Sequence, residues 1–290
     1  MGTPVAPSPS ATSGRPRRGL TRGGLSLLRS ILVAYLVVLL IMMFFEEAFV
    51  FVPQRYPAGD WHPQGIRFED AQFQTADGVR LHGWFLPHDR PLATILFCHG
   101  NGGNITDRRD MVQSLHDWND AAVLIFDYRG YGRSEGKPSE KGILADARAA
   151  RAWLSSRTGV PEKEIVLMGE SLGGGVAVDL AARDGAKALV LQSTFSSLAD
   201  VAAHHMPWLP VRMLLHTRLD SASKIGQYHG PLLQCHSEAD TIVPYRFGQK
   251  LFAAANEPKR FVTFHDLHHN DFPPPSFFVA LKTFLEKLKR

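Results

Sequence analysis

The sequence predicts an α/β fold: a mostly parallel sheet of eight strands with helices on both faces, preceded by one apolar N-terminal helix. Three observations carry that reading. Short, continuously apolar runs alternate with segments of helical period, the pattern of strand–helix crossovers onto a parallel sheet. One run, Ile165–Met168, leads straight into Gly169-Glu170-Ser171-Leu172-Gly173 and then a small-residue helix start. The other clusters of polar, chemistry-bearing residues also follow apolar runs, as expected where a site lies beyond the carboxyl ends of the strands.

Residues 1–24 are rich in Pro, Ser, Gly and Arg and hold almost no large apolar side chain, so disorder is expected there. Residues 25–48 read as a transmembrane signal anchor. Ile31–Phe45 is unbroken and apolar, and extending it back through Leu25 gives about the 20 residues that cross a bilayer, with Arg29 able to snorkel. Glu46-Glu47 follows in place of a small-residue cleavage site, which favours an uncleaved anchor over a removed signal peptide. Arginines before the helix and acids after it put the N-terminus in the cytoplasm and the large domain on the far side. Residues 49–65, with Pro53, Pro57 and Pro63, read as a short stiff linker.

The remainder, 66–290, suits one substantial domain, since 290 residues at 44% hydrophobic content leave no room for two. It opens with an antiparallel pair across Arg67–Leu86, turning at Ala76-Asp77-Gly78. Buried-type strands follow at Thr94–Cys98, Ala122–Phe126, Ile165–Met168, Ala188–Leu191, Leu232–Cys235 and Phe261–Phe264. Ile143, Ala147, Ala150 and Leu154 mark one face of an intervening helix. The net charge of +4 does not point to nucleic acid. Five arginines and no acid lie in residues 1–45, leaving 27 Lys+Arg against 28 Asp+Glu in the rest. Cys98 and Cys235 read as buried fillers rather than a disulfide.

Ser171 sits where the chain must turn sharply from strand to helix. Gly169 and Gly173 flank it because side chains there would collide across the bend, and the turn holds the hydroxyl beside the positive end of a helix. Taken alone, Gly-x-Ser-x-Gly is a common pentapeptide in a chain with 25 glycines. Context strengthens it. After Thr94–Cys98 comes His99-Gly100-Asn101-Gly102-Gly103-Asn104, small enough for the N–H of Asn101, with that of Leu172, to bind an oxyanion. Asp240 follows another strand, in a loop where a helix-capping or turn aspartate is the alternative reading, given helix entry near Pro244. After Phe261–Phe264 come His265, His268 and His269, and periodicity does not choose among them.

Taken together, the serine elbow, the His-Gly loop, Asp127-Tyr128-Arg129-Gly130-Tyr131-Gly132 after a strand, and Asp240 then His269 resemble the α/β-hydrolase superfamily. More narrowly, the chain is similar to membrane-anchored serine hydrolases of the serine aminopeptidase-like and protein-depalmitoylase branches. The resemblance covers about residues 66–290. It implies Ser171 as nucleophile, His269 as base and Asp240 as its orienter, although relatives usually carry glycine where this chain has His268. Residues 193–230 break the alternation where relatives insert a small lid. Met206, Trp208, Leu209, Val211, Met213, Leu214 and Leu215 make it apolar, suited to an acyl pocket, to the membrane or to ordinary packing.

The expectation is therefore a serine hydrolase of carboxylic esters or thioesters, with small-molecule or lipid acyl esters as substrates and a membrane as its support. No cofactor, metal or nucleic acid is expected. A serine aminopeptidase-like peptidase is the alternative within the enzymes, and a catalytically silent membrane-tethered binding module the alternative outside them.

Overall fold

The computed structural model describes residues 2–4 and 22–289. Most of the stretch expected to be disordered lies outside the described residues. The chain divides into two compact units, Met1–Phe44 and Phe45 onward. The first contains helix α1 (Arg22–Phe44), 23 residues without an acidic side chain in its first turn and with no buried residue. It is long and apolar enough to cross a membrane. At 1.5 Å per residue it extends roughly 34 Å, matching a hydrocarbon core of about 30 Å.

The second unit begins with α2 (Glu46–Val50), which straddles the end of the stretch 25–48 read from sequence as membrane anchor and the start of the expected linker. Glu46 is buried in this unit. Its carboxylate accepts the backbone N–H groups of His216 at 3.0 Å and Thr217 at 2.6 Å, and His216 Nδ1 lies 3.0 Å away. Burial opposes its charge, but the two N–H donors outweigh that and hold the carboxyl below its ordinary range. The stretch expected as a linker is likewise docked. Phe51 and Trp61 are buried, Arg133 stacks over the Trp61 ring at 4.6 Å, and Val52–Pro53 pairs in parallel with Gly102–Gly103.

The sheet has eight strands: β1 (Glu69–Gln74), β2 (Arg80–Leu86), β3 (Ala93–Cys98), β4 (Ala121–Phe126), β5 (Val166–Glu170), β6 (Ala188–Gln192), β7 (Leu232–Ser237) and β8 (Lys259–Phe264). Their order is β8-β7-β6-β5-β3-β4-β2-β1. The strands from β3 onward pair in parallel, whereas β2 pairs antiparallel with both β4 and β1. The first pair turns at Asp77-Gly78, with Gly78 at φ +85°, as the sequence predicts.

The helices after α2 are α3 (Arg109–Asn119), α4 (Glu140–Thr158), α5 (Leu172–Asp184), α6 (Leu198–His205), α7 (Val211–Leu214), α8 (Ala222–Ile225), α9 (Tyr245–Ala254) and α10 (Pro275–Lys287). Strand residues alternate between two cores because successive side chains leave opposite faces. Leu96, Cys98 and Leu167 join one core with α4, α5, α8 and α9; Ile95, Phe97, Val166 and Met168 join the other with α3 and α10. The helix face Ile143, Ala147, Ala150 and Leu154 is fully buried in the first. Both cysteines are free and buried, Cys98 in the first core and Cys235 in the second. They lie on opposite faces of the sheet.

Strand order reverses between β3 and β5, whose carboxyl ends therefore border a crevice. A side chain at Gly173 would put its Cβ 2.0 Å from the Cys98 carbonyl oxygen, so glycine lets α5 lie against the end of β3.

Candidate active site

Ser171 follows β5 and precedes α5, at φ +50° and ψ −117°. Such a conformation costs a non-glycine residue on the order of 1–3 kcal/mol, and the surroundings must impose it. They do so through the end of β6: the Ser171 N–H donates to the Gln192 carbonyl at 2.9 Å, and Thr194 Oγ1 donates to the Ser171 carbonyl at 2.7 Å.

The structure brings Ser171, Asp240 and His269 together, 98 and 29 residues apart in the chain for the two contacts. Ser171 Oγ lies 3.0 Å from His269 Nε2, and His269 Nδ1 lies 2.7 Å from Asp240 Oδ2. A carboxylate only accepts, so Nδ1 carries the proton and Nε2 is free to accept from the serine. Of the three histidines in that loop, His265 is exposed and bonds Glu238 at 2.8 Å, and His268 is also exposed. Only His269 reaches the serine among them.

Asp240 is 4% exposed. Burial alone would raise its pKa, but hydrogen bonds from His236 and His269, with the backbone N–H of Val243 at 2.8 Å, hold the carboxyl well below its ordinary value. The N–H of Ile242 adds a bond at 3.0 Å. The two oxygens divide their partners: Oδ1 takes the N–H groups of the Ile242–Val243 turn, ahead of α9, and Oδ2 takes the imidazoles of His236 and His269, so the side chain holds its loop without capping the helix. His236, which the sequence reading did not single out, is fully buried; its Nε2–H is shared between Asp240 Oδ2 at 3.1 Å and the Val243 carbonyl at 2.9 Å. The only sequence signal for it is its place four residues before Asp240 at the end of β7.

A cleft of about 740 Å³ opens at Ser171 and His269, with Asn101 and Leu172 in its wall. Leu172 is the first residue of α5, where backbone N–H groups lack partners within the helix. Asn101 turns its side chain away to three partners: Nδ2 donates to the Val50 carbonyl at 2.6 Å, and Oδ1 accepts from the Val52 N–H at 3.3 Å and Tyr131 Oη at 2.8 Å. Tyr128 does not line the cleft; it donates from behind to the His99 carbonyl at 2.9 Å. Polar wall is supplied by Glu170 and Arg108, paired at 3.1 Å. Neither stood out in the sequence.

The lid region supplies Phe195, Leu198 and Val201 to the cleft. The seven apolar residues singled out from sequence do not line it. Leu209 and Val211 are buried, whereas Trp208 and Met213 are 60% and 83% exposed. Among the described residues no group of three His, Cys, Asp or Glu side chains converges as a metal site.

A strained serine on a strand–helix elbow at the switch point of such a sheet is the arrangement of an α/β hydrolase, and the family profile for the alpha/beta hydrolase fold matches residues 93–248. The chain belongs to that family. It is 46% identical over 204 residues to the uncharacterized protein Rv2307c of Mycobacterium tuberculosis, covering 70% of this chain and 72% of that one. It is 33% identical over 276 residues to the alpha/beta hydrolase domain-containing protein WAV2 of Arabidopsis thaliana, covering 86% and 89%. Among solved structures, the esterase Pf2001 of Pyrococcus furiosus matches with a TM-score of 0.67 at 22% identity, over 81% of this chain and 96% of that one, a likeness of fold.

Proposed function

We infer that the protein is a membrane-anchored serine hydrolase cleaving carboxylic ester or thioester bonds through an acyl-enzyme on Ser171. The observation that carries this reading is the continuous relay Ser171–His269–Asp240, at 3.0 and 2.7 Å, at the wall of a cleft. His269 Nε2 takes the Ser171 proton as Oγ bonds to the carbonyl carbon, and Asp240 stabilises the imidazolium. The backbone N–H groups of Asn101 and Leu172 receive the oxyanion. As the tetrahedral intermediate collapses, the imidazolium returns its proton to the departing alcohol or thiol. Water, deprotonated by His269, then attacks the acyl carbon and frees Ser171. The mixed wall, apolar at Phe195, Leu198 and Val201 and polar at Glu170 and Arg108, suits an acyl chain joined to a polar group. Helix α1 serves as a single-pass anchor, with the catalytic unit on the non-cytoplasmic side.

A fluorophosphonate probe tests the nucleophile and, in membrane-impermeant form on sealed vesicles of known orientation, its sidedness. Labelling of the wild type that disappears in Ser171→Ala is expected, with ester turnover falling by about 10⁶ in that variant and by about 10⁴ in Asp240→Asn. Folded wild type that neither labels nor turns over acyl esters would overturn the reading. Faster turnover of amino-acid anilides than of acyl esters would move the substrate to peptides.

A further inference from the structure

The proposed oxyanion loop, Gly100 to Asn104, contains three glycines and is conformationally permissive when left to itself. A donor aimed at a developing charge must instead be fixed before the reaction. The structure shows what fixes it, and most of the fixing groups lie in the segment expected to be a linker.

The Asn101 carboxamide is clamped by Val50, Val52 and Tyr131 through the three bonds already described. Beyond it, Val52–Pro53 pairs with Gly102–Gly103, and the Gln54 N–H donates to the Gly103 carbonyl at 3.0 Å. Asn104 Nδ2 then reaches the carbonyls of Gln54 at 3.3 Å and Ala58 at 2.9 Å. On the opposite side, the buried imidazole of His99 donates from Nδ1 to the Gly100 carbonyl at 2.7 Å. Burial and the neighbouring Arg108 push His99 down to about 3, so the ring is neutral and Nδ1–H is its one donor. A trans peptide is planar, and its C=O and N–H point in opposite directions. Holding the Gly100 carbonyl therefore fixes the direction of the Asn101 N–H.

We propose that residues 50–54, together with the Asn101 side chain, are a positioning device for the oxyanion site: they hold the Asn101 carboxamide so that its backbone N–H is aimed at the carbonyl oxygen on Ser171. This rests on the serine-hydrolase reading. It assigns a function to a stretch that precedes the eight-stranded sheet and makes Asn101 a positioning side chain as well as a backbone donor.

Two variants of the full-length, detergent-solubilised protein test it. Asn101→Ala removes all three side-chain bonds and keeps the backbone N–H. Val52→Pro removes the N–H that donates to Asn101 Oδ1; Phe51 before it is already extended at φ −100° and ψ 129°, as a residue preceding proline requires, and Val52 is 57% exposed. Removing a whole oxyanion donor costs about 10²–10³ in kcat, so a misaimed donor is expected to lower kcat by about 10-fold to 10³-fold in Asn101→Ala and by less in Val52→Pro. KM should change less than about threefold, and the pH dependence of kcat should keep its shape because the Ser171–His269–Asp240 bonds are untouched. Should Asn101→Ala fail to fold, Val52→Pro alone decides. Wild-type kcat in the folded variants, or a loss carried by KM, would overturn the proposal while fluorophosphonate labelling of the wild type left the nucleophile assignment standing. A wild type that does not label fails at the serine instead.

Discussion

Asp127, at the end of β4, shows how one buried group ties stability to pH. It is completely buried, and Oδ1 accepts the Ile105 N–H at 3.0 Å. Burial pushes its carboxyl up to about 7 from an ordinary 3.8. Between those values the native state keeps a proton that the unfolded chain has released, so this group's contribution to stability declines as pH rises through that window. Asp127→Asn carries no such titration. Its melting temperature relative to wild type is therefore expected to rise from pH 4.5 to pH 7.5, measured by thermal unfolding at both. A difference independent of pH would mean that Asp127 is ionised in the fold. At this same scale the sequence is informative about Ser171, because the glycines beside it record a steric requirement. It is silent about His236, whose role depends on a single Nε2–H reaching Asp240 and leaves no pattern in composition or period.

At the scale of elements, the strands were legible because burial on both faces writes a short apolar run, and each of the six runs named from sequence lies at a strand of the sheet, although Gln234 interrupts the run of β7 and the edge strand β8 is only partly buried. Ser171 follows β5 directly because that strand runs on to Glu170, two residues past its apolar stretch. The lid was legible as a break in alternation but not in its contacts, since an apolar residue looks the same in sequence whether it lines a cleft or fills a core. The structure separates them, and the difference is measurable. Leu198→Ala widens the cleft wall and is expected to shift the ratio of kcat/KM for long against short acyl esters by about tenfold or more, as about 1–3 kcal/mol per methylene in a pocket implies. Met213→Ser, on the exposed face of α7, should leave that ratio unchanged. Equal shifts from both, read with a series of acyl esters, would remove Leu198 from the acyl site.

For the whole molecule, the apolar helix was legible from hydropathy alone, whereas the docking of the first residues of the second unit onto the rest of that unit was not. Glu46 is held by backbone N–H groups 170 and 171 residues away, and Asn101 reaches back 51 residues to Val50. Contacts to backbone carry no residue-type signal at such separations. They set where the protein can be cut. A chain starting at Phe45 is expected to leave the membrane fraction and keep its ester turnover, while one starting at Ile66 loses turnover along with residues 50–54; fractionation and an acyl-ester assay on both read the outcome. Full turnover in the shorter chain would show that the core works without that segment.

Cys98 and Cys235, buried on opposite faces of the sheet, have a further consequence for such a chain. Burial pushes the Cys98 thiol up to about 12, and that of Cys235 upward as well, so neither offers a thiolate for exchange near neutral pH. The native fold neither acquires a covalent lock nor loses one on passing between reducing and oxidising surroundings. A fold held together without a disulfide is indifferent to the redox state of the compartment around it.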